Sequence, residues 1–158
     1  MEANGKIEVS MKISLGADHA GFALKEHLRE TLTKAGHEVL DEGTFGAESV
    51  DYPDFAHRAA EGKDMWERLV LVCGSGIGMS ITANRHANIR CALVTSPEHA
   101  RLARQHNDAN TIAFGQRLTD PLQAESYLKT FLETPFLGLQ HEKRVKKIEP
   151  DWSGHEEC

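Results

Sequence analysis

Three cysteines, Cys73, Cys91 and Cys158, are all the chain has, an odd number with no Cys-x-x-Cys pair. That argues against a disulfide framework and fits free thiols in a reducing cytoplasm. No apolar run approaches the roughly 20 residues that cross a bilayer, and residues 1–10 lack the apolar core of a signal peptide. No long basic run occurs and the formal net charge is -6, so neither nucleic acid nor a membrane is an expected partner. No Gly-Lys-Ser or Gly-Lys-Thr is present, which excludes a Walker loop. Gly74, Gly76 and Gly78 are followed by Met79, so the dinucleotide fingerprint Gly-x-Gly-x-x-Gly is not completed either. Internal repeats and low-complexity segments are also lacking.

What remains is an ordinary globular composition, 40% apolar and 27% charged over 158 residues. That length suits one domain with a sizeable core. The domain is expected at residues 11–149, between tails at 1–10 and 150–158. Residues 12–16, 37–40, 68–73, 91–95 and 111–114 read as strands. Leu24, Leu28, Leu32 and Ala35 fall on one helical face, and Gly36 is placed to end that helix. Tyr52-Pro53 reads as a stop before a helix over 54–62. Further helices are expected over about 76–86, from Ser96-Pro97 to about 105, and from Asp120-Pro121 onward with Ala124, Leu128 and Leu132 facing inward. A basic helix over about 139–148 closes the order. Strands and helices alternate, so the class is α/β, a three-layer, Rossmann-like arrangement with a five-stranded parallel sheet.

The stretch Cys73-Gly74-Ser75-Gly76-Ile77-Gly78 organises this chain. An apolar strand, a glycine-rich turn and a helix start form a place for an anion, because backbone N–H groups there lack partners. Cys73 stands at the entrance as a candidate proton acceptor. Ligands of parallel sheets lie beyond the carboxyl ends of the strands. Asp18 and His19 follow the first strand and Arg117 the fifth, while the loop after the fourth helix is expected to bring His106 and Asn107 to the same rim.

Five segments, in order, carry a family resemblance: Gly16-Ala17-Asp18-His19-Ala20-Gly21-Phe22, Asp51-Tyr52-Pro53, Cys73 to Gly78 with Ala83-Asn84, Arg104 to Asn110, and Phe114-Gly115-Gln116-Arg117. Together they make the chain resemble the family of B-type ribose-5-phosphate isomerase and galactose-6-phosphate isomerase. The resemblance implies interconversion of ribose 5-phosphate and ribulose 5-phosphate through an enediolate, in the non-oxidative pentose phosphate pathway, with no metal and no organic cofactor. It assigns catalysis to Cys73 as base, His106 for opening the furanose ring, and Ser75. It assigns substrate binding to the amides of Gly74, Ser75, Gly76, Ile77 and Gly78, to Tyr52, and to Asp18 and Asn107 at the sugar hydroxyls. His19, Arg117, Gln140 and Arg144 fall at the phosphate end. It further implies a cytoplasmic homodimer, able to pair into a tetramer, with the site shared between subunits.

Plainer readings stand beside these. Taken singly, Cys73 is a small core residue, Asp18 a helix cap and Ser75 an N-cap. His19 and His106 are then surface histidines, and Arg117 and Arg144 solvated charges. The family commonly has arginine where this chain has Gln140, which leaves phosphate affinity and substrate choice open. Relatives without the cysteine carry glutamate where this chain has Met79, so the cysteine-type mechanism is the one expected. Three other functions compete: an isomerase of allose 6-phosphate or galactose 6-phosphate type, a non-catalytic sugar-phosphate-binding module, and a cysteine hydrolase.

Overall fold

The computed structural model describes residues 9–150. Most of both expected tails, and Cys158, therefore lie outside the described residues. Five parallel strands run β1 (Lys12–Ala17), β2 (Glu38–Asp41), β3 (Arg68–Cys73), β4 (Cys91–Leu93) and β5 (Thr111–Gly115). They stand in the order β2-β1-β3-β5-β4. Between and after them come α1 (Phe22–Lys34), α2 (Tyr52–Glu61), α3 (Ile77–Ala83), α4 (Pro97–Asn107), α5 (Pro121–Glu133) and α6 (Gln140–Val145).

The central strands read as unbroken apolar runs because both faces of the sheet are covered. Ile13, Leu15, Val70, Val72, Ile112 and Phe114 join a core with residues of α1, α4 and α5. Leu69, Leu71, Cys73 and Ala113 point the other way, into a core closed by α2 and α3. Cys73 therefore ends its strand facing the α2–α3 layer.

Several expected boundaries shift, each for a local reason. Tyr52-Pro53 begins α2 instead of stopping the chain, since proline in a first helical turn gives up only an N–H that has no partner there. The helix after Cys73 ends at Ala83 rather than running to His86. The Asn84 side chain then bonds the backbone of Cys91 through both its amide atoms. Ala35 is the exposed C-cap of α1, not part of its inner face. Cys91, read as a core residue, is half-buried on the edge strand and packs against the second core. Burial pushes its thiol up to about 12, so it stays protonated and inert.

One buried group was invisible to the apolar pattern. The Lys25 side chain is fully buried on the inner face of α1. Its Nζ bonds Asp41 at 2.6 and 2.7 Å and lies about 5.5 Å from the Phe22 ring. A buried ammonium needs such a partner. Position 25 sits one turn before Leu28 and so faces inward with it, which is the signal that marks it.

Candidate active site

The glycine turn after β3 is held by its own atoms. Gly76 caps α3 with φ +77, the left-handed region that costs other residues about 1–2 kcal/mol. A methyl placed on it would stand 2.6 Å from Leu93 and 2.8 Å from the Phe114 backbone. Gly76→Ala is therefore expected to destabilise the fold by about 2–5 kcal/mol, strain plus overpacking. Thermal melting checks this, at about 2–4 °C per kcal/mol for a chain of this size.

The Gly76 N–H donates to Cys73 Sγ at 3.1 Å, and the Ile77 N–H donates to Ser75 Oγ at 3.2 Å. Those two amides are thus engaged and are not free for substrate, a change from the expected set. The amides of Gly74, Ser75 and Gly78 bond no other group among the described residues. The Ser75 hydroxyl accepts that one bond and keeps its proton to donate.

Two side chains lie against this turn. The guanidinium of Arg117 lies against Gly74: a methyl there would meet Nη1, Cζ and Nε at 2.8, 3.0 and 3.4 Å. Among the described residues no carboxylate pairs with Arg117, so its charge is available to an anion. The Tyr52 ring covers Gly78, whose added methyl would stand 2.6 Å from Tyr52 Cζ. On the other side, Asp18 is buried at the end of β1 and accepts from the Gly21 N–H at 3.0 Å. It closes the turn before α1 rather than capping the helix, whose cap position is Gly21. His19 Nδ1 accepts from the Val50 N–H at 3.1 Å. The neutral ring then carries its proton on Nε2, which is left to donate.

His106 and Asn107 are not at this rim. Helix α4 starts beyond the carboxyl end of β4 and runs back the length of the sheet. Just after it, Asn110 accepts from the Leu69 N–H at the start of β3 and donates to Arg90 before β4. Cys73, by contrast, is paired with Gly115 at the far end of β5. The five residues of β5 separate the two places by on the order of 15 Å. The expected return of the loop to the carboxyl rim does not occur.

A second cluster forms there instead. The Leu137 N–H donates to Gln105 O, which brings the chain after α5 onto the end of α4. Helix α6 then stacks His141 on His106, with ring centroids 4.2 Å apart and planes 13° from parallel. Gln140 and Arg144 lie on the same short helix, both exposed. The sequence-derived residues thus divide in two. Asp18, His19, Tyr52, Cys73 to Gly78 and Arg117 gather at the carboxyl rim; His106, Asn107, Gln140 and Arg144 gather at the opposite one. His141 was not singled out from sequence, although its place beside Gln140 and one turn before Arg144 marks it.

The family model described as Ribose/Galactose Isomerase matches residues 13–148. A ribose-5-phosphate isomerase B of Escherichia coli (strain K12) is 39% identical over 140 residues, 87% of this chain and 93% of the relative. The crystal structure of a ribose 5-phosphate isomerase from Thermotoga maritima superposes with TM-score 0.86 at 46% identity, covering 87% of this chain and 97% of that one. The ribose 5-phosphate isomerase B of Anaplasma phagocytophilum gives TM-score 0.85 at 48% identity, covering 89% and 98%.

Proposed function

Because the chain belongs to the ribose/galactose isomerase family, we propose that it interconverts D-ribose 5-phosphate and D-ribulose 5-phosphate. The observation that carries this reading is the sulfur of Cys73 set among amides at a glycine turn, with the Arg117 guanidinium, unpaired among the described residues, against Gly74. A thiolate there takes the proton from C2 of the open-chain aldose. The electron pair moves into an enediolate, and the proton returns at C1. The Gly74, Ser75 and Gly78 amides hold the developing oxygen charge as an oxyanion hole does. The Ser75 hydroxyl and Asp18 bond sugar oxygens, and Tyr52 walls the site. His19 and Arg117 take the phosphate. A binding module would leave Cys73 without a task, and a cysteine hydrolase would need a histidine against Cys73. The free thiols of Cys73 and Cys91 support a cytoplasmic setting, and no helix among the described residues is long and apolar enough to cross a membrane.

The active form is a homodimer whose sites are shared. Cys73 and His106 lie at opposite ends of one chain's sheet, so one sugar cannot touch both within one chain. A second copy, turned about, brings its His106, Asn107, Gln140 and Arg144 to the first copy's glycine turn. Exposed apolar side chains support such a contact at both places: Tyr52, Ile77 and Ile81 beside the turn, Leu137, Leu139 and Ile148 beside the second cluster. Incubation with ribose 5-phosphate, followed by NMR for ribulose 5-phosphate, tests the activity. Failure to convert it, with conversion of allose 6-phosphate instead, would move the substrate but not the chemistry.

Arg144 is the phosphate contact expected from α6. It has no ion pair among the described residues, whereas Lys146 bonds Glu142 at 2.9 Å on the same helix. Arg144→Ala is expected to weaken substrate affinity about 10- to 150-fold, the loss of one charge-assisted bond of roughly 1.5–3 kcal/mol. Lys146→Ala costs much less, and Gln140→Arg tightens binding. Affinities measured across salt concentrations separate them; equal losses for Arg144 and Lys146 contradict the clamp.

A further inference from the structure

A histidine that moves protons is usually held by a hydrogen bond to one ring nitrogen. His106 has none: among the described residues neither its ring nor that of His141 makes a side-chain hydrogen bond. What His106 has is the His141 ring, 4.2 Å away and 13° from parallel. His141 is itself buried and anchored in the first turn of α6, its N–H donating to Gly138 O at 2.9 Å. We propose that His141 is a positioning residue for ring opening: its stacked ring fixes the plane of His106 and offers a π face to the imidazolium formed when His106 carries a proton. This rests on the reading of His106 as the ring-opening group.

The chemistry gives such a partner a task. Opening the furanose breaks the bond between C1 and the ring oxygen, turns the C1 hydroxyl into a carbonyl and leaves a proton on the former ring oxygen. One group relaying that proton passes through a charged state, and a cation over a neutral aromatic face is stabilised. Two charges in the stack would repel. Desolvation of His141 holds its titration below the ordinary histidine value, helped by His106 and by the Arg144 guanidinium on its own helix. When His106 carries the relayed proton, His141 therefore faces it as a neutral ring. Protonation of His141 as pH falls puts two charges in the stack, and the platform is lost.

The test uses His141→Ala and His141→Phe in the full-length protein, with the wild type assayed alongside. On ribose 5-phosphate, His141→Ala is expected to lose roughly 5- to 30-fold in kcat, the range that one or two kcal/mol produces. His141→Phe, which restores an aromatic face, recovers most of that loss. On a permanently acyclic aldose phosphate such as erythrose 4-phosphate, both variants match the wild type. The acid limb of the pH profile follows two protons in the wild type and one in His141→Phe. Independently of activity, NMR titration of the imidazoles is expected to show His141 moving up toward the ordinary value in His106→Asn, because two coupled groups shift each other. Independent titration of the two rings overturns the proposal, as does an equal loss on the acyclic sugar, or a failure of phenylalanine to rescue while the protein stays folded. A wild type inactive on ribose 5-phosphate would instead sink the substrate reading, and the NMR arm would still decide the stack.

Discussion

Replacing Cys73 by alanine is expected to lower turnover at least ~100-fold, the scale of a general base, while the fold survives. The residue is buried with a sulfur that accepts one backbone N–H. Its removal deletes a single heavy atom and leaves the Gly76 amide without that acceptor, a cost of about 1–3 kcal/mol. The melting temperature should then fall by no more than about 12 °C, at 2–4 °C per kcal/mol for this size. Neither strand β3 nor Gly76's left-handed conformation depends on the thiol, so the Gly74, Ser75 and Gly78 amides stay in place. Cys73→Ser should remain nearly as inactive, because a hydroxyl fills the space without supplying a usable base at neutral pH. Assay of the purified, folded variants on ribose 5-phosphate checks both. Near-normal turnover of Cys73→Ala would remove the thiol from the mechanism and return it to the role of a small core residue.

Mixing two inactive variants should restore activity. Cys73→Ala disables the carboxyl-rim half of every site and His106→Asn the opposite half. Unfolded together in equal amounts and refolded, they give mixed dimers in which one site carries both changes and the other neither. With random pairing, about a quarter of wild-type activity is expected, since about half of the dimers are mixed and each holds one intact site. Each variant refolded alone stays at its own low level. If the mixture is no more active than the average of its parents, Cys73 and His106 do not meet across a subunit boundary. The same experiment with Cys73→Ala and Arg117→Ala should give no rescue, because both residues lie at the same rim of one chain.

Much of the architecture could be read along the chain because its signals are local. The apolar run 69–72 needs a sheet covered on both faces, and both cores supply one. Ser96 accepts from the His99 N–H, and Asp120 from the Leu122 N–H, as their places before a proline suggest. The glycine turn was legible for the same reason: a left-handed residue and a close approach of backbone both call for glycine in sequence. Misreadings arose where one residue type serves two local purposes. Proline at 53 opens a helix as readily as it ends one, and Asn84 stops α3 by bonding a strand that sequence alone does not place beside it.

The sequence by itself determined which residues can do chemistry and on which elements they ride: a thiol and a glycine turn at a strand end, an arginine after the fifth strand, a histidine near a helix terminus. Only the tertiary structure decided which of them meet. Helix α4 has 11 residues and so is about 16 Å long, comparable with the height of the sheet it packs against. It must run antiparallel to the strands to reach the start of β5. That length and direction carry His106 from the carboxyl rim, where α4 begins, to the opposite rim, where it stacks on His141. The burial of Lys25 against Asp41 has the same origin. A charged side chain's place inside depends on a partner 16 positions away in sequence, brought close only when β2 pairs with β1. Periodicity and composition report what each segment can bury; distances between segments belong to the packed molecule.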